Sequence, residues 1–311
     1  MKILNSYLNG NVRVTLFDNG TKIQEWDGDD YSDAMPEFPN SMDVKITNYC
    51  DLGCAFCHEK STKHGKHADL DYLLKILKDL PKGTELAIGG GNPLDHPHLY
   101  DFLSKCKELG LICNMTMNYL HLNKYIDLVN KLIDEQLIMG LGLSISGRTN
   151  IDDVNKINNV SNVVFHVISG VQSVSILDLI YASPIKKVLI LGYKQFGRGE
   201  QYYNENVKEA EEVWHTQITK YFDKLQLTFD DLGAKQFNVK QYFPEDVWRT
   251  LFTGFDGQFT MYIDAVNKQY AVSSTGKARF NLNKPIKDCF KHVRKISGHE
   301  FSHEFFRPIG K

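Results

Sequence analysis

From Met42 to Leu225 the chain alternates short apolar runs with amphipathic segments, and this alternation restricts its fold more than any other feature. The runs MDVKIT, TELAIGG, LICNMTMNY, IMGLGLSIS, NVVFHVIS and KKVLILGYK have the length and composition of strands. Segments of helical period separate them. In ADLDYLLKILKDL, Leu70, Leu73, Leu74, Leu77 and Leu80 share a face. In LYDFLSKCKELG, Leu99, Phe102, Leu103, Cys106 and Leu109 do, and Gly110 suits the C-terminal stop. NKYIDLVNKLIDEQL is a third helix, NIDDVNKINN a weaker one, SVSILDLIYA a short one, and ENVKEAEEVWHTQITKYFDKL closes the series. Strands joined by right-handed crossovers make a parallel sheet covered by helices. Six such units suit an open barrel or a doubly wound sheet, and periodicity does not choose between them.

The flanks differ. In residues 1–41, VRVTLF and KIQEW surround DNGT, strong hairpin-turn chemistry, and an acidic connector with prolines follows. Residues 227–311 break the alternation. GQFTMYIDAVNKQYAVSS has the pattern of a hairpin turning at Val266, Asn267 and Lys268, and the tail is basic and aromatic. The expected organisation is an N-terminal hairpin and linker over 1–41, the repeating α/β unit over 42–226, and a smaller C-terminal region over 227–311. Both flanks are expected to cap the barrel mouth.

A formal net charge of -2 gives no overall basic field for nucleic acid or a membrane surface. The N-terminus lacks a signal peptide's apolar run, and no stretch approaches the roughly 20 apolar residues of a membrane span. A cytoplasmic location is the expectation. There, six cysteines are a poor disulfide framework, and clustered ones bind metal or react.

Three of them, Cys50, Cys54 and Cys57, sit in TNYCDLGCAFCHEK directly after the first strand. Thiolates at i, i+4 and i+7 in a loop that Gly53 keeps pliable can curl around one object. Structural zinc usually takes four ligands in paired short spacings. Here only Cys289 and scattered histidines are left to complete a zinc site. A cubane cluster held by three cysteines leaves one iron with an open position.

The spacing C-x3-C-x-aromatic-C, with Phe56 before the last cysteine, resembles the signature of the radical S-adenosylmethionine superfamily. The resemblance covers about residues 42–226. It implies an α/β fold, a partial (β/α)6 TIM-like barrel. It further implies a 4Fe–4S cluster on Cys50, Cys54 and Cys57 whose free iron is chelated by S-adenosylmethionine. Reductive cleavage then yields a 5'-deoxyadenosyl radical that takes hydrogen from a substrate. An external electron donor such as a flavodoxin or ferredoxin is implied as well.

Other candidate residues follow the strand ends. Gly89, Gly90 and Gly91 after the second strand permit close backbone approach. In the superfamily a glycine turn here, often ending in Glu-Pro, contacts the cofactor's amino group. This chain has Asn92 before Pro93, so Asn92 or a backbone carbonyl takes that place. In the third strand Asn114, Thr116 and Asn118 share a face and need partners that a polar cofactor supplies. In the fourth, Ser144, with Ser146 in reserve, matches the superfamily's ribose or carboxylate contact. At the sixth strand's end, near adenine in the superfamily, Gly192 allows close approach and Lys194 points toward cofactor or substrate. Phe56 counts with the cofactor contacts. His58 and Glu59 buttress the cluster or meet substrate. His166 on the fifth strand is expected to be a satisfied core histidine. Cys106 and Cys113 are expected in the core, and a single Cys289 cannot hold a second cluster.

The expected activity is therefore hydrogen abstraction from a substrate, a peptide or protein by preference. The hairpin GQFTMYIDAVNKQYAVSS is like the strand pair of a peptide-maturase domain stripped of its cysteines. A nucleotide or other small molecule is the alternative. A reading of another class is a non-catalytic iron–sulfur electron carrier or a zinc-binding module.

Overall fold

The computed structural model describes residues 1–298 apart from Asp29 and Thr253. The end of the basic, aromatic tail, residues 299–311, lies outside the described residues.

Three strands, β1 (Ile3–Asn9), β2 (Val12–Phe17) and β3 (Lys22–Glu25), form a separate antiparallel sheet in that order. The hairpin around DNGT is β2–β3. β1 was not expected, because ILNSYLN is half polar and mostly uncovered.

The alternating region follows as β4 (Ser41–Thr47), α1 (Leu70–Leu77), β5 (Glu85–Gly90), α2 (Leu99–Glu108), β6 (Ile112–Asn118), α3 (Leu122–Asp134) and β7 (Gly140–Ser144). It continues through β8 (Val163–Ile168), α4 (Ile176–Ala182), β9 (Lys187–Leu191), α5 (Gly199–Tyr202) and α6 (Glu205–Gln217). The weak helix expected after β7 is a 3-10 turn over Ile151–Lys156. Beyond it come β10 (Gln226–Phe229), α7 (Asp231–Gln236), α8 (Glu245–Leu251), β11 (Thr260–Asp264), β12 (Gln269–Ala271), β13 (Phe280–Asn281) and α9 (Ile286–Ile296).

All ten strands from β4 onward make one sheet, in the order β10-β9-β8-β7-β6-β5-β4-β11-β12-β13. β4 to β10 pair in parallel with their sequence neighbours, which is the partial barrel. β10 and β13 are its edges, so it does not close on itself. The sheet is wider than six units because β10 adds a parallel strand beside β9 and β11 another beside β4. β11 and β12 form the expected hairpin, with Asp264 accepting from the Asn267 backbone N–H at 3.0 Å in the turn.

Burial separates the two faces of each strand. In β6, Cys113, Met115 and Met117 are buried under helices, while Asn114, Thr116 and Asn118 are half-exposed. β8 repeats this with Phe165 and Val167 against Val164, His166 and Ile168. The helix side is a close-packed layer in which each fully buried Leu, Ile or Val contributes about 1.5–3 kcal/mol. The other side lines a hollow lumen.

One expectation is corrected. The N-terminal sheet does not cap the mouth at the strands' C-terminal ends; it sits at the opposite end. Asn5 donates to the Lys82 carbonyl at 2.6 Å, Lys22 pairs with Glu85 at 2.5 Å, and Lys187 reaches the Asn19 carbonyl at 3.4 Å. These partners all stand at or before strand starts. At the mouth it is the segment after β12 that arrives: Lys194 Nζ lies 3.1 Å from Ser274 Oγ, and the Arg279 guanidinium lies 5.8 Å from the Phe196 ring.

Candidate active site

β4 delivers the chain to the mouth, where residues 48–67 fold back on themselves. Cys50 N–H donates to the Thr62 carbonyl at 3.0 Å, and Thr62 N–H to the Asn48 carbonyl at 3.0 Å. Cys57 N–H closes a tight turn on the Cys54 carbonyl at 3.2 Å. Gly53 has φ of +62°, a conformation that favours glycine. The three thiols are half-buried and free of disulfides. Burial, then the neighbouring thiols, pushes the Cys50 thiol up, and burial followed by Cys57 does the same at Cys54. A cationic metal centre reverses that preference by drawing off the protons.

The loop is braced from two sides. After β9, Arg198 donates through Nε to the Cys54 carbonyl at 2.9 Å and through both Nη atoms to the Ser61 carbonyl at 3.0 Å. Its own N–H donates to the Cys57 carbonyl at 3.1 Å. A Cβ at Gly197 would stand 2.2 Å from the His58 carbonyl oxygen, so only glycine lets these segments meet. On the other side, buried Lys45 pairs with Glu59 at 2.8 Å and with Asp264 at 3.1 Å. Tyr262 donates to Glu59 at 3.0 Å. β4, the loop and β11 are thus tied at one cation. His58 is held well below the usual imidazole range, by burial first and then by Lys194, Lys45 and Arg279.

The three glycines divide by role. A Cβ at Gly90, whose φ is +116°, would lie 2.4 Å from the Thr47 carbonyl oxygen, and one at Gly91 2.1 Å from that of Tyr49. These two let the glycine turn press against the start of the cysteine loop, where Gly91 and Asn92 N–H groups donate to Thr47 and Tyr49 at 2.7 Å. Gly89 alone faces open space. Asn92 is buried, with Nδ2 donating to Asp95 at 2.7 Å and Oδ1 unpartnered.

The remaining expected residues split between two levels of the lumen. Phe56, Gly192 and Lys194 line a small pocket beside the cysteine loop, with His58 and Ile168. Gly192 also serves packing: its N–H donates to Asp230 at 2.9 Å, and a Cβ would stand 2.6 Å from the Gly233 nitrogen. Asn118 and Ser144 are register partners at the ends of β6 and β7; Asn118 Oδ1 accepts from Leu120 N–H. Ser146 Oγ is engaged by the Arg148 N–H at 3.3 Å. Asn114 and Thr116 sit lower, in a cavity toward the strand starts. His166 is there too. It is not a satisfied core histidine: its ring faces the lumen and makes no hydrogen bond among the described residues.

Sequence reasoning passed over Arg198, Lys45, Asp264, Asp51 and His121. Asp51 and His121 meet at 2.7 Å, and with Cys50 they bring ligand atoms within 4.8 Å of one another. Their contacts come from distant elements and carry no local spacing signal. GRG after the sixth strand was the one visible hint.

The site fits an iron–sulfur cluster. Cys50, Cys54 and Cys57 are three free, half-buried thiols in one loop, the soft donor set that an iron–sulfur cluster takes. Buried polar atoms without partners gather around the loop: Asn48 Oδ1, Ser61 Oγ, Asn92 Oδ1 and His121 Nδ1. Such orphans are rare and concentrate at functional sites. Cys106 and Cys113 are buried core thiols, as expected, and Cys289 is buried as well.

Residues 44–171 match the family model described as the Radical SAM superfamily. No curated protein matches the chain. Among solved structures, the chain is similar to Streptococcus suis SuiB bound to precursor peptide SuiA, with a TM-score of 0.60 and 15% identity over 82% of this chain and 65% of that one. It is similar also to SuiB bound to S-adenosylmethionine, with a TM-score of 0.59 and 17% identity over 82% and 66%. The chain thus spans somewhat under two thirds of SuiB's length, and the likeness is one of fold.

Proposed function

We propose, from the radical S-adenosylmethionine domain that the chain carries over residues 44–171, that it is a radical S-adenosylmethionine enzyme acting on a peptide or protein. The observation that carries the reading is the trio of free thiols in a braced loop beside an open glycine position and a hollow lumen. Cys50, Cys54 and Cys57 would hold the cluster. Gly89, Ser144 and the pocket of Phe56, Gly192 and Lys194 would receive S-adenosylmethionine. When bound, the pair supplies one-electron reductive chemistry and hydrogen abstraction. The chain's part is to keep the thiolates in place through Arg198 and Lys45, and to enclose the substrate away from water. A peptide substrate is favoured by the likeness to a fold that has been seen with a precursor peptide bound.

The test begins with protein reconstituted without oxygen, given reductant, S-adenosylmethionine and a pool of peptides deuterated on carbon. Deuterium in the 5'-deoxyadenosine formed supports the reading. Deuterium arriving only from a labelled small-molecule fraction replaces the peptide with a metabolite. A zinc module stays colourless, and an electron carrier is reduced but leaves S-adenosylmethionine whole.

A further inference from the structure

Below the cysteine loop the lumen widens into a cavity of about 340 Å³, at the lower end of the range for ligand pockets. Its floor is the N-terminal sheet, through Leu4, Leu16 and Phe17. Its walls are apolar at Ala87, Val164 and Leu189, and polar at Thr116 and His166. Nothing in the family match or the fold likeness assigns it.

Of the cavity's charges, Glu85 is held in an ion pair, while Lys187 and Asp18 are hydrogen-bonded to neutral groups. Glu85 is paired with Lys22 at 2.5 Å and accepts from Asn114 at 3.4 Å. Lys187 donates to the Ser161 carbonyl at 2.9 Å and to that of Asn19 at 3.4 Å. Asp18 accepts from the Lys2 N–H at 2.9 Å. Asp43 and Lys194 are not among its lining residues. A charged group entering would lose its water, which the apolar walls, the neutral His166 and Thr116 would not replace, a penalty of several kcal/mol.

His166 is built into the space deliberately. A Cβ at Gly142 would stand 2.3 Å from its Cε1, 2.6 Å from its Nε2 and 2.9 Å from Thr116 Oγ1. Glycine at 142 therefore makes room for the ring and the hydroxyl together. Burial, then Lys194, depresses the imidazole to about 4, so at neutral pH it offers one donor and one acceptor.

We propose that this lower lumen seats one uncharged, hydrogen-bonding side chain of the substrate, an aromatic phenol or indole by preference, with His166 and Thr116 as its polar contacts. The assignment to a peptide side chain rests on the function proposed above; the pocket's selectivity does not.

The test uses the full chain and three probes, N-acetyl-tyrosinamide, N-acetyl-lysinamide and N-acetyl-phenylalaninamide, with affinities read by titration NMR. The tyrosine derivative is expected to bind at least several-fold more tightly than the lysine derivative. His166→Leu and Thr116→Val should each weaken it roughly three- to tenfold, one neutral hydrogen bond's worth, and leave the phenylalanine derivative unchanged. Leu189→Trp, which fills the cavity, should abolish binding while circular dichroism stays native. Equal or tighter binding of the lysine derivative, or unchanged affinity in both polar variants, overturns the proposal. The same batches are assayed for 5'-deoxyadenosine. A batch that makes it without discriminating probes overturns the pocket alone; one that discriminates without making it keeps the pocket and overturns the enzymatic reading.

Discussion

Arg198 and Cys54 are joined across the barrel mouth, the arginine Nε–H donating to the cysteine's carbonyl at 2.9 Å. With the bonds to Ser61, this makes one planar side chain the clamp on both ends of the cysteine turn. Arg198→Ala strands both carbonyls and should destabilise the loop by about 1–3 kcal/mol. The expected result is a protein that still folds but yields iron to a chelator several-fold faster than wild type. Arg198→Lys, which keeps charge but not the fork, should fall between. Equal release rates in all three would remove the clamp from the account.

In the glycine turn an added side chain would meet backbone at Gly91 and open space at Gly89. Gly91→Ala drives a methyl to 2.1 Å from the Tyr49 carbonyl oxygen and should destabilise by several kcal/mol in denaturant unfolding. Gly89→Ala meets open space and should unfold like wild type, yet bind S-adenosylmethionine less tightly in equilibrium dialysis. A Gly89 variant with full affinity argues against a cofactor contact there.

Lys45 neutralises two buried carboxylates at once. Lys45→Met leaves Glu59 and Asp264 facing each other without it, a change that should cost about 3–5 kcal/mol. The triple change Lys45→Met, Glu59→Gln, Asp264→Asn should recover most of the loss in thermal unfolding. No recovery would mean that Lys45 acts through packing rather than charge.

His166 predicts an acid-sensitive barrel. Above its unfolded pKa of about 6.5 the ring is neutral in both states and contributes no pH dependence. Because the folded value is depressed to about 4, the unfolded state binds more protons as pH falls through that window, and stability is lost. The ceiling on the loss is about 3–4 kcal/mol, reduced by water in the lumen. His166→Gln should flatten the stability profile between pH 6.5 and 4, measured by urea midpoints. A profile as steep as wild type would show that the ring is not held neutral.

Legibility followed the range of the interactions. The six strands, the helix faces and the cysteine loop are local patterns, and the structure carries them. The places of Ser144 at the end of β7 and of Phe56 in the pocket beside the loop are near-local too. What the sequence hid depends on contacts between distant segments. β10 is only four residues long and β11 reads as half of a hairpin, yet both pair in parallel and widen the sheet on both sides. The N-terminal sheet shows no direction in its hairpin chemistry, so its place at the strand starts comes only from partners such as Lys82 and Glu85. Asn114, on the same face as Asn118, looked equivalent to it; the length of β6 puts one at the floor and the other at the mouth. Gly90 and Gly91 also pack tightly on the backbone of residues 47–49, a contact that their position in the sequence does not show.

The central claim is that Cys50, Cys54 and Cys57 hold a cluster able to cleave S-adenosylmethionine. Its most direct test compares wild type and Cys54→Ala after identical anaerobic reconstitution, with iron, sulfide and 5'-deoxyadenosine counted per chain. Near four irons and sustained nucleoside formation in wild type, with both lost in the variant, is the expected result. Undiminished cluster and cleavage in Cys54→Ala would contradict the account.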